Sequence, residues 1–281
     1  MASEPFFPAE LEREIFETTA SMHPSAIPTV LRVARRVLIW IEPLLYRVVC
    51  SHKQPEVLSA TKSKPPAFFH DAVRHLLLDG VSTGWSVEEA NDVLRLCTGV
   101  TNFAAIGKFS NPSLLPILEG MKIQRLAACL EVLFGDPRYI DLCHRAFSSI
   151  THFDIFDEIV SGETTICCKI PMLPALTHLC LNNDVPLNTV QGLLTDCPRL
   201  DVFVVLCPDY SWAKKTPISD MRFVVAFVRD YWNDWERGAR GLPNFWSVAD
   251  NFVTQKRRGL IDKDCYWIDD YDKTRADLEA E

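Results

Sequence analysis

Apolar side chains recur along this chain on two scales. Within short segments they hold the first, fourth and sixth positions, and the segments themselves return after roughly two dozen residues. Six of them align: "VRHLLLDG" from Val73, "VTNFAAIG" from Val100, "IQRLAACL" from Ile123, "ITHFDIFD" from Ile150, "LTHLCLNN" from Leu176 and "LDVFVVLC" from Leu200. Their first residues are 27, 23, 27, 26 and 24 positions apart, which leaves room in each unit for one short strand and one return segment. The return segments agree across an offset of one hundred residues, where "SVEEANDVLRLCTGVTNF" from Ser86 lies over "PLNTVQGLLTDCPRLDVF" from Pro186. Val87, Ala90, Val93 and Leu94 then meet Leu187, Val190, Leu193 and Leu194, a spacing that predicts an amphipathic helix running into a strand. Ser86 and Glu89 make a capping-box pattern at the start of the first such helix. Cys97 and Cys197 each stand three residues before the strand's first apolar position, where a small side chain suits the joint between helix and strand.

Strands and helices alternating at this length, with an L-x-x-L-x-L rhythm, resemble the leucine-rich repeat over residues ~70 to ~230. The asparagine that usually follows the strand is absent from most units, and the third unit continues into "LFGDPRY" instead of a clear helix. The resemblance implies parallel strands stacked into an α/β solenoid with helices outside. If positions one, four and six face the core, positions three and five face away from it. The second set is His75 and Leu77, Asn102 and Ala104, Arg125 and Ala127, His152 and Asp154, His178 and Cys180, Val202 and Val204. Six strands about 4.8 Å apart would present an open strip on the order of 25 Å, suited to a protein target. Its expected contacts are His75, Asn102, Arg125, His152, Asp154, His178 and Cys180. His152, Asp154, His178 and Cys180 are side chains that zinc accepts, but as neighbours on a strand face they read more simply as polar surface, and no metal or cofactor is expected.

Toward the amino terminus, "FFPAELEREIFETTA" reads as a helix entered through Pro8, with Leu11, Ile15 and Phe16 on one face. A second helical run, "TVLRVARRVLIWI", places Val30, Val33, Ala34, Val37 and Ile41 on a stripe and ends at Pro43. Helices this few and short need a neighbour to bury their apolar faces. "FPAELEREIF" is similar to the opening of an F-box, and "VARRVLIWIEPLLYRVV" to its closing stretch, with Ala34 where cysteine is usual, Val37 where tryptophan is usual, and Trp40 one turn later. Fungal F-box-like proteins of uncharacterised role resemble the chain more closely than the general family does. The resemblance implies a contact with the Skp-type adaptor of a cullin ubiquitin ligase through Phe7, Pro8, Leu11, Ile15 and Val33. The plainer alternative is that these helices cover the first strand. The resulting organisation is an F-box-like segment at 1–52, a linker at 53–69, the repeat region at 70–229, and a helical cap with an acidic tail at 230–281. In the last of these, Trp232, Trp235, Phe245, Trp246 and Phe252 are expected to cover the final strand, and the tail after "YWIDDYD" is expected to be disordered.

Composition narrows the functions further. The chain has 281 residues, 48% of them hydrophobic, and a net charge of −8, which argues against nucleic acid as a partner. Its one dense basic cluster, Lys256-Arg257-Arg258, reads as a solvated helix end. The start is acidic and unlike a secretory leader, and the longest apolar run, "VLIWIEPLLY", is too short to span a membrane. The sequence therefore predicts a cytoplasmic or nuclear protein without a membrane partner, its ten cysteines kept as thiols. One motif points to chemistry. Gly80-Val81-Ser82-Thr83-Gly84 spells G-x-S-x-G, the nucleophile elbow of serine hydrolases. In an elbow the helix follows the serine directly, whereas here the helix signal waits until Ser86. The hydrolase order also puts the histidine last, and the final histidine of this chain is His178. The preferred reading is a non-enzymatic, F-box-like adaptor that recruits an unidentified target protein. A plain repeat scaffold without a ligase comes second, and a serine hydrolase using Ser82 third.

Overall fold

The computed structural model describes residues 7–79, 84–159, 166–182, 185–207 and 218–280. Ser82 lies outside them. Eight short strands form one all-parallel sheet in which each strand pairs with the next in sequence. They are β1 (Val48–Cys50), β2 (His75–Leu78), β3 (Asn102–Ala105), β4 (Arg125–Ala128), β5 (His152–Ile155), β6 (His178–Asn182), β7 (Val202–Leu206) and β8 (Phe223–Ala226). The six aligned segments supply β2 to β7, and β1 and β8 extend the sheet at either end. His75 lies opposite Asn102, Asn102 opposite Arg125, and the row continues through His152 and His178 to Val202 without a slip. Positions one, four and six of every unit are buried in a single core, including the row Leu76, Phe103, Leu126, Phe153, Leu179 and Phe203. A fully buried leucine or phenylalanine contributes roughly 1.5–3 kcal/mol, so this repeated row is a principal source of stability.

The amino-terminal helices are α1 (Ala9–Met22), α2 (Ile27–Val30) and α3 (Arg35–Leu45). The run expected as one helix from Thr29 to Ile41 is broken, because Ala34 is extended (φ −160°, ψ 157°) and α3 starts afresh behind it. Nor does α3 stop at Pro43, which sits inside its last turn. Ala20, Ile27, Val30, Val37 and Ile41 form a small core of their own, with Phe16, Trp40 and Leu44 packed against it. Arg36 forks onto the Glu12 carboxylate at 2.6 and 2.8 Å and ties α3 to α1.

Residues 53–69, expected as a linker, carry α4 (Glu56–Ala60) and most of α5 (Pro66–Ala72). They belong to the unit that β1 begins: Val57 and Phe69 join the main core, and Tyr46 meets Phe68 and Phe69 edge to face. The later return segments hold α6 (Val87–Leu96), α7 (Leu115–Leu118), α8 (Leu130–Phe134) and α9 (Leu187–Asp196). In the third unit α8 is a little over one turn long and ends at Gly135, whose φ of +76° is a left-handed conformation that glycine adopts freely. Cys97 and Cys197 are buried where α6 and α9 end, as their shared position predicts. Side chains at the strand ends link neighbouring units. The buried Asp157 carboxylate accepts from the backbone N–H groups of Leu130 and Glu131 at 2.6 and 2.7 Å, and the Asp79 N–H donates to the Ser51 hydroxyl. At α6 the capping box is complete: Ser86 accepts from the Glu89 N–H at 3.1 Å, and Glu89 accepts from the Ser86 N–H at 2.8 Å. Ser86→Ala is expected to lower the unfolding free energy by about 1 kcal/mol in urea denaturation, with the slope of the transition unchanged.

The last helices are α10 (Tyr231–Ala239), α11 (Phe245–Arg257) and α12 (Tyr271–Ala280). α10 and α11 do not sit on the end of the sheet, as their tryptophans were expected to; they lie across its second face, and α12 packs on α11. Trp235 and Ala239 pack on Val48, Leu77, Ala104 and Ala127, from β1 to β4. Phe245, Trp246, Val248 and Phe252 pack on Cys180, Val202, Val204 and Val224, from β6 to β8. The outer edge of β8 is met by a different segment, since the Val225 N–H donates to the Tyr266 carbonyl and the Ile268 N–H donates to that of Val225. The acidic tail expected to be disordered contains α12, with Tyr271 buried and Leu278 against the core. Lys256, expected in a solvated basic cluster, is buried: its ammonium donates to the Asp220 and Phe223 carbonyls at 2.9 and 3.2 Å. No helix among the described residues is long and apolar enough to cross a membrane.

Candidate functional site

Two places in the molecule carry the residues to which the sequence assigned a role. The first is the outer side of the amino-terminal helices. On α1, Leu11 and Ile15 lie one turn apart, each 49% exposed, and Phe7 precedes them by another turn at 47%. Pro8 is exposed at the entry to the helix, and Val33, in the break before α3, is 60% exposed. Ile39 on α3, which the sequence reading passed over, is 64% exposed. The stripe exists because α1 turns Phe16 and Ala20 toward the small core on its other side, which leaves the Leu11–Ile15 side half exposed.

The second is the row at positions three and five, and here the expectation of an open strip fails. Leu77, Ala104, Ala127, Asp154, Cys180, Val202 and Val204 are all buried, since α10 and α11 lie over them. His152 and His178, neighbours in register, stack with ring centroids 4.0 Å apart, and Trp246 meets both edge-on at 5.2 and 5.6 Å. Each imidazole Nδ1 is hydrogen-bonded to the preceding threonine hydroxyl, Thr151 or Thr177, and His178 Nε2 lies 3.0 Å from Asp250 on α11. Tyr231 donates to the Asp154 carboxylate. These side chains therefore serve the joint between sheet and helices. Among the described residues no group of three or more His, Cys, Asp or Glu is placed to hold a metal ion.

Burial sets the electrostatics of this joint. It pushes the Asp154 carboxyl up to about 7, although Tyr231 and Arg125 pull the other way. It pulls His152 down to about 2, helped by the neighbouring charges of His178 and Arg125. Burial also raises the Cys50 and Cys97 thiols to about 12 and Cys129 and Cys197 to about 11, so these four are protonated at neutral pH and poor nucleophiles.

At the other end of the row, His75 and Arg125 are half-buried and Asn102 is buried. They line a cavity of about 550 Å³ bounded by the first four strands, the last turn of α10 and the α1–α2 connection. The alternation along the strands places these three on one face, but nothing in it encodes the helices that roof over the rest of the row. No protein-family model matches the chain, and no curated protein matches it.

Proposed function

We propose that the chain is an F-box-like adaptor of a cullin ubiquitin ligase. In this reading α1 to α3 dock a Skp-type adaptor, and a leucine-rich-repeat-like solenoid holds the protein to be modified. The carrying observation is the half-exposed apolar stripe of Leu11 and Ile15 on α1, with Phe7 ahead of the helix and Val33 beside the α3 start, on helices whose own small core is already filled. Exposed apolar side chains arranged on one helix face suit a protein partner better than solvent. The in-register parallel strands, one per sequence unit, support the solenoid part of the proposal. Capture of the target is assigned to the His75–Asn102–Arg125 end of the row, because α10 and α11 cover the remainder. The adaptor performs no chemistry itself.

Purified Skp-type adaptor immobilised on a sensor surface provides the test. Wild-type chain is expected to bind, and the Leu11→Glu, Ile15→Glu double variant to bind about 30-fold more weakly or worse, with its melting temperature unchanged because both side chains point outward. Equal binding by both, or by neither, overturns the proposal.

A further inference from the structure

The cavity beneath the α10 turn lies at the end of the row assigned to target capture, and its lining also suits a small anionic ligand. Its polar wall is formed by the entry ends of β1 to β4: Arg47, His75, Asn102 and Arg125, each belonging to a different strand or the residue just before it. The apolar wall is Ala20, Ile27, Leu44, Val48 and Ala239. Among the described residues that line it none is acidic, while three are arginines: Arg47, Arg125 and Arg240. Arg240 is spent on Glu236, to which it donates at 2.8 and 3.0 Å. The guanidiniums of Arg47 and Arg125 make no hydrogen bond or ion pair with any described residue. His75 Nδ1 is buried and has no hydrogen-bond partner either. Its imidazole is held down at about 4 by burial and by the charges of Arg47, Arg125 and Arg74, the pattern of a site with positive charge and no counter-ion. Asp154 acts on Arg125 only through space, and is itself held at about 7.

Two guanidiniums with no hydrogen-bonding partner, a buried imidazole nitrogen that no described residue meets and an apolar wall make a definite demand. Arginine forks match the geometry of phosphate oxygens, two of them balance a dianion, and the volume is that of a small-molecule site. We propose that this cavity binds a small phosphomonoester, its phosphate held between Arg47 and Arg125 with His75 and Asn102 beside it, and its organic part against Ile27 and Leu44. The site joins α1 and α2 to β1–β4 and α10, so a bound ligand would brace the amino-terminal helices against the sheet. Leu11 and Ile15 do not line it, and its test is independent of adaptor binding.

Calorimetric titration of the full chain with phenyl phosphate, inorganic phosphate and benzoate tests the assignment. Phenyl phosphate is expected to bind, inorganic phosphate more weakly for want of the apolar contact, and benzoate more weakly for want of the second charge. Arg47→Gln and Arg125→Gln are each expected to cost about tenfold or more in phenyl phosphate affinity. Because Arg125 neighbours buried groups, the melting temperature of each variant is measured alongside, and Arg47, whose position is exposed, carries the decision if Arg125→Gln is unstable. In the wild type, the NMR-monitored titration of the His75 ring is expected to move to higher pH on binding, as a dianion offsets the arginine charges. No heat with phenyl phosphate at millimolar concentration, unchanged affinity in a folded Arg47→Gln, or benzoate binding as tightly as phenyl phosphate would each overturn the proposal.

Discussion

Asp234→Ala is expected to cost about 3–5 kcal/mol of stability, a large share of the 5–15 kcal/mol typical of a folded domain. The carboxylate is fully buried on α10 and accepts from the backbone N–H of Phe245, the first residue of α11, at 2.8 Å. It also accepts from the Tyr271 hydroxyl at the start of α12 and from Arg275 one turn further on, at 3.3 Å. One side chain thus joins three helices. Burial raises the pKa of its carboxyl, while Tyr271, the Phe245 N–H and Arg275 hold the charge in place. Truncation leaves the Phe245 N–H and the Tyr271 phenol without their acceptor inside the structure and takes from Arg275 one of its two carboxylates, and each unmet group adds its own desolvation cost. The expected damage is local first: α10 to α12 come off the sheet and expose Leu77, Val202, Val204 and Val224 to water. Urea denaturation gives the energy, and hydrogen exchange locates it as lost protection in α10–α12 ahead of β2–β5. Asp234→Asn keeps an acceptor for two of the three donors and should lose clearly less. A truncation costing under 1 kcal/mol would show that the helices are held by apolar contact alone.

The second large effect is on pH dependence. His75 and His152 sit at about 4 and about 2 in the folded chain against an ordinary 6.5, so folding keeps both neutral. As pH falls below 6.5 the unfolded chain takes up protons that the folded chain refuses. Their contribution is therefore complete above pH 6.5 and is lost downward, toward about 4 for His75 and further for His152. Asp154 has the opposite sign. Raised from 3.8 to about 7, its carboxyl holds a proton in the folded chain that the unfolded chain has released, so its contribution is complete below 3.8 and lost as pH rises through 7. Between pH 6.5 and 4 two histidines outweigh one carboxyl, and stability is expected to fall by about 1.4 kcal/mol per pH unit on acidification. Asp154→Asn, which still offers an oxygen to Tyr231, removes the opposing arm. Its loss over the same range should roughly double in slope, and at pH 8 it should be more stable than the wild type. Denaturant midpoints at half-unit intervals of pH read both effects, and parallel curves for the two proteins would mean that Asp154 does not keep its proton on folding.

The spacing of the strands was legible because the same three core positions recur in each unit, so that Val73, Leu76 and Leu78 predict Val100, Phe103 and Ala105. The end strands escaped for physical reasons. Val48–Cys50 is only three residues long, too short for alternation to show. Phe223–Ala226 is buried on both sides and reads as one apolar run without a period. That same signal was present along the supposed open strip. Leu77, Ala104, Ala127, Cys180, Val202 and Val204 are too apolar for a face in water, and parallel sheets are ordinarily covered on both sides. Reading those positions together would have sent Trp235, Phe245 and Trp246 across the strands instead of onto the last one. At the candidate cavity, the sequence placed His75, Asn102 and Arg125 side by side; it could not show that Arg47 and the end of α10 would close around them, since nothing local encodes that meeting.

The contact of Val225 with Tyr266 and Ile268 gives this sheet a built-in terminus. A parallel sheet exposes a ladder of unused N–H and carbonyl groups along its outermost strand, an invitation to a second molecule that would lengthen it indefinitely. Here the chain returns after α11 and occupies part of that ladder itself, so the number of strands is counted by the polypeptide and does not depend on how much protein is present.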